Sequence, residues 1–512
     1  MALEERDPRR WWILGVLCFS LLLIVVDNTI VNVAIPTLQR ELQATTNELQ
    51  WIVDSYILVF AGLLLTGGTL GDKFGRKGAL SLGLAIMGGA SALSAMADSA
   101  GQLIATRAVM GIGAALVMPA TLSILTNVFT DPTERGRAIA VWAGTAGMAV
   151  AIGPVTGGWL LEHFWWGSVF FVNLPVVIVA MLAGARLIPT SRDPHNPRLD
   201  VVGAALSVVA LVTLVWAIIE APDRGWLSGP TLGAFAVAAA LLVAFLWWER
   251  RVDEPMLDIA LFRNARFSAA SLTITLIFFA MFGSFFLMTQ YLQFVMGYTA
   301  LEAGLRTTPM ALVMMVIAPS SARLVERFGT KGVVTTGMAV AGLGLVLTSL
   351  LTPDSTYLNV LVTMAVMSAG MALTMAPATE SIMGSLPPSK AGVGSAVNDT
   401  TREVGGALGV AVLGSVMSSV YADRLPTGVV DAARESIGAA MVIAGQVGEV
   451  PGRELASAAS HAFVDGIGVA LLIAAGVAVL GAVVAWLALP ARAHDFVGDD
   501  DVEAVDVEPV LT

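Results

Sequence analysis

Gly68-Thr69-Leu70-Gly71-Asp72-Lys73-Phe74-Gly75-Arg76-Lys77 is a short basic turn between two long apolar runs, and the chain uses it twice. Downstream, Glu326-Arg327-Phe328-Gly329-Thr330-Lys331 restores acid, base, Phe, Gly and Lys in register, again between apolar runs. A turn repeated at the same place in each half predicts two related bundles, the organisation of transporters built from internal repeats around a midplane site.

Working outward from these turns, apolar windows of about 20 residues, enough to cross a bilayer core as a helix, lie near 12–35, 50–70, 79–98, 102–126, 137–161 and 168–188. A pair follows near 201–219 and 230–248, then six more near 267–294, 303–325, 332–352, 357–383, 400–421 and 466–489. The expected fold is therefore an all-α integral membrane protein of fourteen helices. Its segments are an N-tail (1–11), a six-helix bundle (12–188), an inserted helix pair with linkers (189–266), a second six-helix bundle (267–489) and an acidic tail (490–512). The stretch from Ile437 to Val447 is too short to span, so 422–465 reads as a long outer loop with a surface helix. The run after Arg9 and Arg10 is too long for a signal-peptide core and lacks an A-x-A site, which makes it the first spanning helix.

Composition agrees. Of 512 residues, 56% are hydrophobic and 13% charged, against roughly 25% charged in soluble domains. The lone Cys18 excludes an internal disulfide or a multi-cysteine metal site, and four scattered histidines offer no pair for a buried haem or metal. No G-x-x-x-x-G-K-[ST] loop is present, so ATP hydrolysis within the chain is not the energy source. Neither cofactor nor nucleic-acid partner is expected. Net charge is -11, partly from seven acids in the tail. Alternate connections carry 20 Lys and Arg on one side against 5 on the other, which places both termini in the cytoplasm of a plasma (inner) membrane.

Four stretches resemble the major facilitator superfamily, in particular its 14-helix drug:proton antiporter branch, and their spacing spans nearly the whole chain. The turn at Gly68–Lys77 is similar to the superfamily's loop signature. Leu103, Arg107, Gly111 and Gly113 resemble the antiporters' buried-arginine motif, implying a role in proton transfer. Gly153-Pro154-Val155-Thr156-Gly157-Gly158 resembles the motif associated with export rather than uptake. Asp27-Asn28-Thr29-Ile30-Val31-Asn32-Val33-Ala34-Ile35-Pro36 is similar to the signature of the 14-helix branch. Two departures stand out: Ala149 replaces a frequent glycine, and Trp166-Gly167-Ser168 replaces an aromatic-Arg-aromatic triplet before Asn173-Leu174-Pro175.

Charge inside hydrocarbon costs about 2.5–3.5 kcal/mol per residue on insertion scales, so each intramembrane ion is a functional candidate. Asp27, Asp54 and Arg107 are expected at one depth, in the outer half of helices 1, 2 and 4. A carboxylate beside Arg107 stays ionised, whereas one left alone in low dielectric favours the neutral acid; movement between these settings is a proton switch. A static ion pair locking the three helices is the alternative. Glu380, late in helix 12 beyond Pro377, is either a cation contact in the cytoplasmic vestibule or an interfacial acid. Glu302 and Arg306 read as an ordinary i,i+4 pair.

The resemblance implies alternating access, and three groups of residues fit its parts. Gly153, Pro154, Gly157 and Gly158 make a bendable packing seam in helix 5. Gly68, Asp72 and Arg76, with Lys73 and Lys77, form an inner latch in which Asp72 engages helix dipoles and the bases engage headgroups. A soft drug pocket is expected from Tyr56, Phe60, Met118, Trp142, Phe282, Phe286, Gln290 and Tyr291. The expected function is proton-driven export of lipophilic, often cationic, small molecules by a monomer whose other partners are protons and membrane lipids. Uptake or facilitated diffusion, and a non-transporting sensor, are the competing readings; nothing in the histidine distribution suits a membrane enzyme.

Overall fold

The structure, a computed structural model, describes residues 8–191, 199–386, 391–426 and 429–491. The expected acidic tail falls, from 492 onward, outside the described residues. The first bundle comprises α1 (Arg10–Leu42), α2 (Thr46–Phe74), α3 (Arg76–Ala95), α4 (Ala100–Val128), α5 (Thr133–His163) and α6 (Ser168–Leu187). The inserted pair is α7 (Val201–Arg224) and α8 (Gly229–Glu249). The second bundle starts with α9 (Ala265–Val295), whose last turn is a π-helix from Tyr291 to Val295.

Helix Ala300–Ser349 runs for 50 residues, about 75 Å at 1.5 Å per residue, far more than a bilayer needs. It breaks at Gly329, where φ is 78°, into α10 (300–328) and α11 (330–349). Gly75, between α2 and α3, has φ 114°. Only glycine enters this region without a steric penalty, so the repeated Phe-Gly turns do the same task in both bundles. The start of the repeat matches too: Thr45 and Glu48 form a capping box before α2, and Thr299 and Glu302 form another before α10. Caps and glycines are related by one offset, 254 residues, from 45 to 299 and from 75 to 329.

The chain continues with α12 (Tyr357–Met383), α13 (Ala391–Arg424), the short α14 (Asp431–Glu435) and α15 (Ile437–Gln446), and α16 (Glu449–Ala488). Counting α10 and α11 separately, fourteen helices among the described residues are long and apolar enough to span. Two boundaries differ from expectation. α16 starts at Glu449 rather than 466, and its 40 residues exceed the hydrocarbon thickness, so its first turns stand outside the bilayer and shorten the expected loop. α13 starts at Ala391 rather than 400, which brings Asp399, Arg402 and Glu403 inside the helix instead of at its edge.

An even number of spans puts both ends of the described chain on one face, called here the terminal face. Within the first bundle α1 packs on α5 and α2 on α4; within the second α9 packs on α13 and α16. The bundles meet where α2 lies along α13 and α5 along α10, and α7 of the inserted pair touches both α2 and α13. Among the described residues, hydrogen bonds that join the two bundles all lie toward the opposite face. Gln50 donates to the carbonyls of Val410 (3.2 Å) and Ala411 (3.1 Å), Gln293 to that of Val33 (2.9 Å), and Thr46 to that of Glu435 (2.8 Å). The Leu301 amide reaches Glu162 at 3.4 Å. The molecule is thus in a state pinned shut at the opposite face.

Candidate functional site

In α1, Asp27 turns into the first bundle and is fully buried, as is Arg107 of α4. Arg107 Nη1 donates to Asp27 Oδ2 at 2.5 Å, and its Nε donates to the Ile52 carbonyl of α2 at 3.1 Å. The other carboxylate oxygen, Oδ1, accepts from Asn173 Nδ2 at 2.8 Å, and Asn173 also donates to Ser91 Oγ at 3.1 Å. The guanidinium lies over the Tyr56 ring, 4.4 Å from its centroid, and Tyr56 packs on Phe60 at 5.9 Å. One ion pair therefore ties α1, α2, α3, α4 and α6 together. Gly111 makes the approach possible: a β-carbon there would lie 2.6 Å from the Tyr56 carbonyl oxygen.

Asp54 contacts neither member of the pair. It is fully buried and neither oxygen has a hydrogen-bond partner. It sits one helical turn from Gln50, on the side of α2 that meets α13. The three ionisable groups expected at one depth thus separate into an ion pair, in which both Asp27 oxygens are bonded and Arg107 keeps a free Nη2, and a solitary acid at the inter-bundle contact.

Across that contact α13 supplies groups the sequence reading passed over. Arg402 donates to Thr379 Oγ1 at 3.0 Å, lies 3.6 Å from Asp399 and stands 5.4 Å from the Phe278 ring centroid. Glu403 Oε2 is shielded and unpartnered, as is the Tyr56 hydroxyl, and Glu403 lies near enough to act electrostatically on that hydroxyl. An acid with one unbonded oxygen thus faces an aromatic from the other bundle, with Arg402 as the cation that acts on it. The available signal was three charged residues within five positions, 399 to 403, beside a helix placed at 400; their polarity was read as the boundary. Asn173, read only as part of a motif, was missed as a ligand of Asp27, and Gln50 was missed altogether.

The remaining expected pocket residues divide. Met118, Trp142 and Phe282 are half-buried, with Trp142 Nε1 donating to Thr121 Oγ1 at 3.2 Å. Phe286, Gln290 and Tyr291 are buried in packing of the second bundle: the Gln290 amide donates to the Phe286 carbonyl (3.2 Å) and the Tyr291 hydroxyl to the Thr352 carbonyl (2.8 Å). The polar ends of Gln290 and Tyr291 are thus bonded within the second bundle. Glu380 is exposed at the terminal-face end of α12, where Arg266 is its neighbouring charge. Glu302 and Arg306 pair at 3.7 Å, and Arg306 stacks on Tyr298 with 3.7 Å to its centroid.

At the α2–α3 turn, Arg76 donates to Asp72 at 2.8 Å and Lys77 to the Ala185 carbonyl at 2.8 Å. The Arg76 amide also donates to the Ser191 carbonyl at 2.9 Å. Asp72 engages Arg76 rather than a helix end, and Arg76 and Lys77 each also bond to a protein group. Gly68 approaches Pro119 of α4, whose Cβ would lie 3.5 Å from an added β-carbon.

The α5 seam has two sides. Gly153 and Gly157 abut Thr29 and Ile30 of α1, while Gly158 abuts the start of α10, where an added β-carbon would meet the Ala300 carbonyl oxygen at 2.6 Å and the Leu301 nitrogen at 2.7 Å. Gly304 of α10 answers it against the backbone at Pro154, with the Val155 nitrogen 3.2 Å from an added β-carbon. The backbones of the two bundles therefore touch at the opposite face without intervening side chains.

Comparison with known proteins agrees with this geometry. Residues 17–410 match the model of the Major Facilitator Superfamily. The chain is 36% identical over 488 residues to the multidrug efflux pump LfrA of Mycolicibacterium smegmatis, covering 93% of this chain and 97% of the relative. It is 34% identical to the tetracenomycin C resistance and export protein of Streptomyces glaucescens (93% and 91% covered) and to the methyl viologen resistance protein SmvA of Salmonella typhimurium (94% and 98%). In fold it is similar to a bacterial homologue of the lysosomal transporter Spinster, with TM-score 0.67, 18% identity and coverage of 94% and 97%. The chain belongs to the Major Facilitator Superfamily, within its drug-efflux proteins.

Proposed function

We propose that the chain is an antiporter that exports hydrophobic, often cationic, compounds from the cytoplasm in exchange for inward protons. It works as a monomer in the plasma membrane with the terminal face cytoplasmic. The observation that carries this reading is the division of intramembrane acids: Asp27 is bonded on both oxygens, while Asp54 has no partner at the inter-bundle contact. A buried carboxylate without donors is accommodated as the neutral acid, and one bonded to a guanidinium as the anion. Rocking of the bundles changes what surrounds Asp54, and hydration or a cation from across the contact then releases its proton. Asp27 and Arg107 hold the helices that frame this exchange.

Glu403, with Tyr56, Phe278 and Phe282, forms the cation-accepting wall. An unpaired carboxylate attracts a lipophilic cation while aromatic faces tolerate varied shapes. Relatives named for multidrug, tetracenomycin C and methyl viologen resistance support small-molecule export. Inward passage of one proton charge releases about 2.3 kcal/mol per 100 mV, so the gradient supplies the work without a resident cofactor.

The test is purified protein in vesicles with an imposed pH gradient and a fluorescent lipophilic cation. The expected result is gradient-dependent accumulation that collapses with the gradient and is abolished in Asp27→Asn and Asp54→Asn. A wild-type rate in Asp54→Asn would show that this acid does not exchange the proton, and one in Asp27→Asn that the ion pair does not frame the exchange.

A further inference from the structure

Away from the contact between the bundles, the two terminal-face ends of the inserted hairpin meet at a pair of acids. Asp200 caps α7, its Oδ1 accepting from the Gly203 amide and from Trp248 Nε1, both at 2.8 Å. Glu249 ends α8, and its Oε2 accepts from the Leu257 amide at 2.8 Å, eight residues along the following linker. Each acid thus uses one oxygen to hold a neighbouring segment. The remaining oxygens, Asp200 Oδ2 and Glu249 Oε1, are shielded from solvent and have no donor. Both border one point, the place a β-carbon would take at Gly203, and the two side chains are within hydrogen-bonding reach of each other. The residues are 9% and 3% exposed.

Among the described residues no base is bonded to them, and Asp200 on α7 is the charged group that acts on Glu249. Arg250 and Arg251 follow it in the chain, but the Arg251 guanidinium lies over the Trp247 ring, 4.2 Å from its centroid. Where α2 meets α7 near this end it presents the Gly62 carbonyl to Ser207. Two dry carboxylates in contact repel strongly, whereas one proton between them converts repulsion into a short charge-assisted O–H···O bond.

We propose that Asp200 and Glu249 share a single proton and form a pH-sensitive clamp that closes the inserted hairpin at the terminal face. Asp200 anchors the entry to α7 and Glu249 the exit from α8, so the clamp fixes both linkers that join the hairpin to the bundles. Because α7 packs on α2 and α13, one helix from each bundle, the clamp stands where their relative motion is transmitted. The sign follows from the shared proton: the clamp holds at low pH and is lost as pH rises and the second carboxyl ionises.

The experiment is thermal unfolding of the full chain in detergent, from mildly acidic to mildly alkaline pH, for wild type, Glu249→Gln and Asp200→Asn. Either amide can donate to the remaining carboxylate at every pH, so the expected result is a melting temperature that falls with pH more steeply in wild type than in the variants. Infrared difference spectra of wild type should show an acid-form carboxyl band that Glu249→Gln or Asp200→Asn removes. Equal pH dependence in all three proteins would overturn the proposal. So would stabilisation of wild type by magnesium or calcium with no pH difference, which would put a cation rather than a proton between the acids. Should one variant fail to fold, the other and the wild-type spectra decide.

Discussion

Gly158→Ala tests how the opposite face closes. The added methyl carbon would stand 2.6 Å from the Ala300 carbonyl oxygen and 2.7 Å from the Leu301 nitrogen, where apolar contacts settle at roughly 3.5–4.0 Å. The deficit is about 1 Å against backbone, which cannot swing aside as a flexible side chain would. Overpacking of this size costs about 1–3 kcal/mol, and the cost falls only on the state in which α5 and α10 touch. The equilibrium between faces should therefore shift roughly 5- to 150-fold toward the state open at the opposite face, with export slowed because closure becomes the difficult step. Spin labels at Arg40→Cys and Leu305→Cys in a Cys18→Ser background read the separation of α1 and α10 directly. Gly147→Ala, on the same helix with no atom near the added carbon, is the control. If Gly158→Ala shows the distances and turnover of Gly147→Ala, the seam does not govern closure.

Two further predictions concern the ionic groups. Arg107→Ala leaves a buried Asp27 with only Asn173 as donor, and loss of one partner of a buried pair costs about 3–5 kcal/mol; a lowered melting temperature that is partly recovered by adding Asp27→Asn is expected, and a melting temperature equal to wild type would mean the pair carries no load. Glu403→Gln preserves shape but removes the carboxyl that ionises when a cation binds beside it on α13, so affinity for a lipophilic cation should fall by about 1.5–3 kcal/mol while affinity for a neutral substrate stays unchanged. Equilibrium binding to purified protein measures both, and equal losses for cation and neutral ligand would remove Glu403 from the recognition of charge.

What could be read from the sequence followed hydropathy and turn chemistry. The apolar runs are long because no water satisfies a lipid-exposed backbone, and the two Phe-Gly turns are visible because only glycine serves at Gly75 and Gly329. Boundaries failed where polar residues do not mark a membrane edge. Asp399, Arg402 and Glu403 lower local hydropathy inside α13, so its start was displaced to 400. At α16 the reverse holds: Glu449, Arg453 and His461 are helical beyond the lipid, where hydropathy gives no helical signal. Spacing along one helix also fixes depth but not azimuth. Asp54 is two residues from both Ile52, whose carbonyl receives Arg107, and Tyr56, over whose ring the guanidinium lies, yet it bonds to neither member of the pair and shares a helix face with Gln50, which bonds to α13.

That azimuth gives the two sides of the contact different characters. On the first bundle every polar atom of Asp27 is bonded, so the ion pair fixes the positions of α1, α2, α4 and α6. At the contact itself, Asp54 and the Tyr56 hydroxyl on α2 and Glu403 on α13 each keep an unsatisfied oxygen. Unsatisfied buried oxygens are costly in a finished core but are what a site needs when its occupant comes and goes. A proton on Asp54 and a cation beside Glu403 each relieve one such cost, and the bundles separate the two carboxylates onto α2 and α13. Antiport requires that the two occupants not be held at full strength together, and a contact whose electrostatics change as α2 and α13 rock supplies that exclusion without any direct link between the acids.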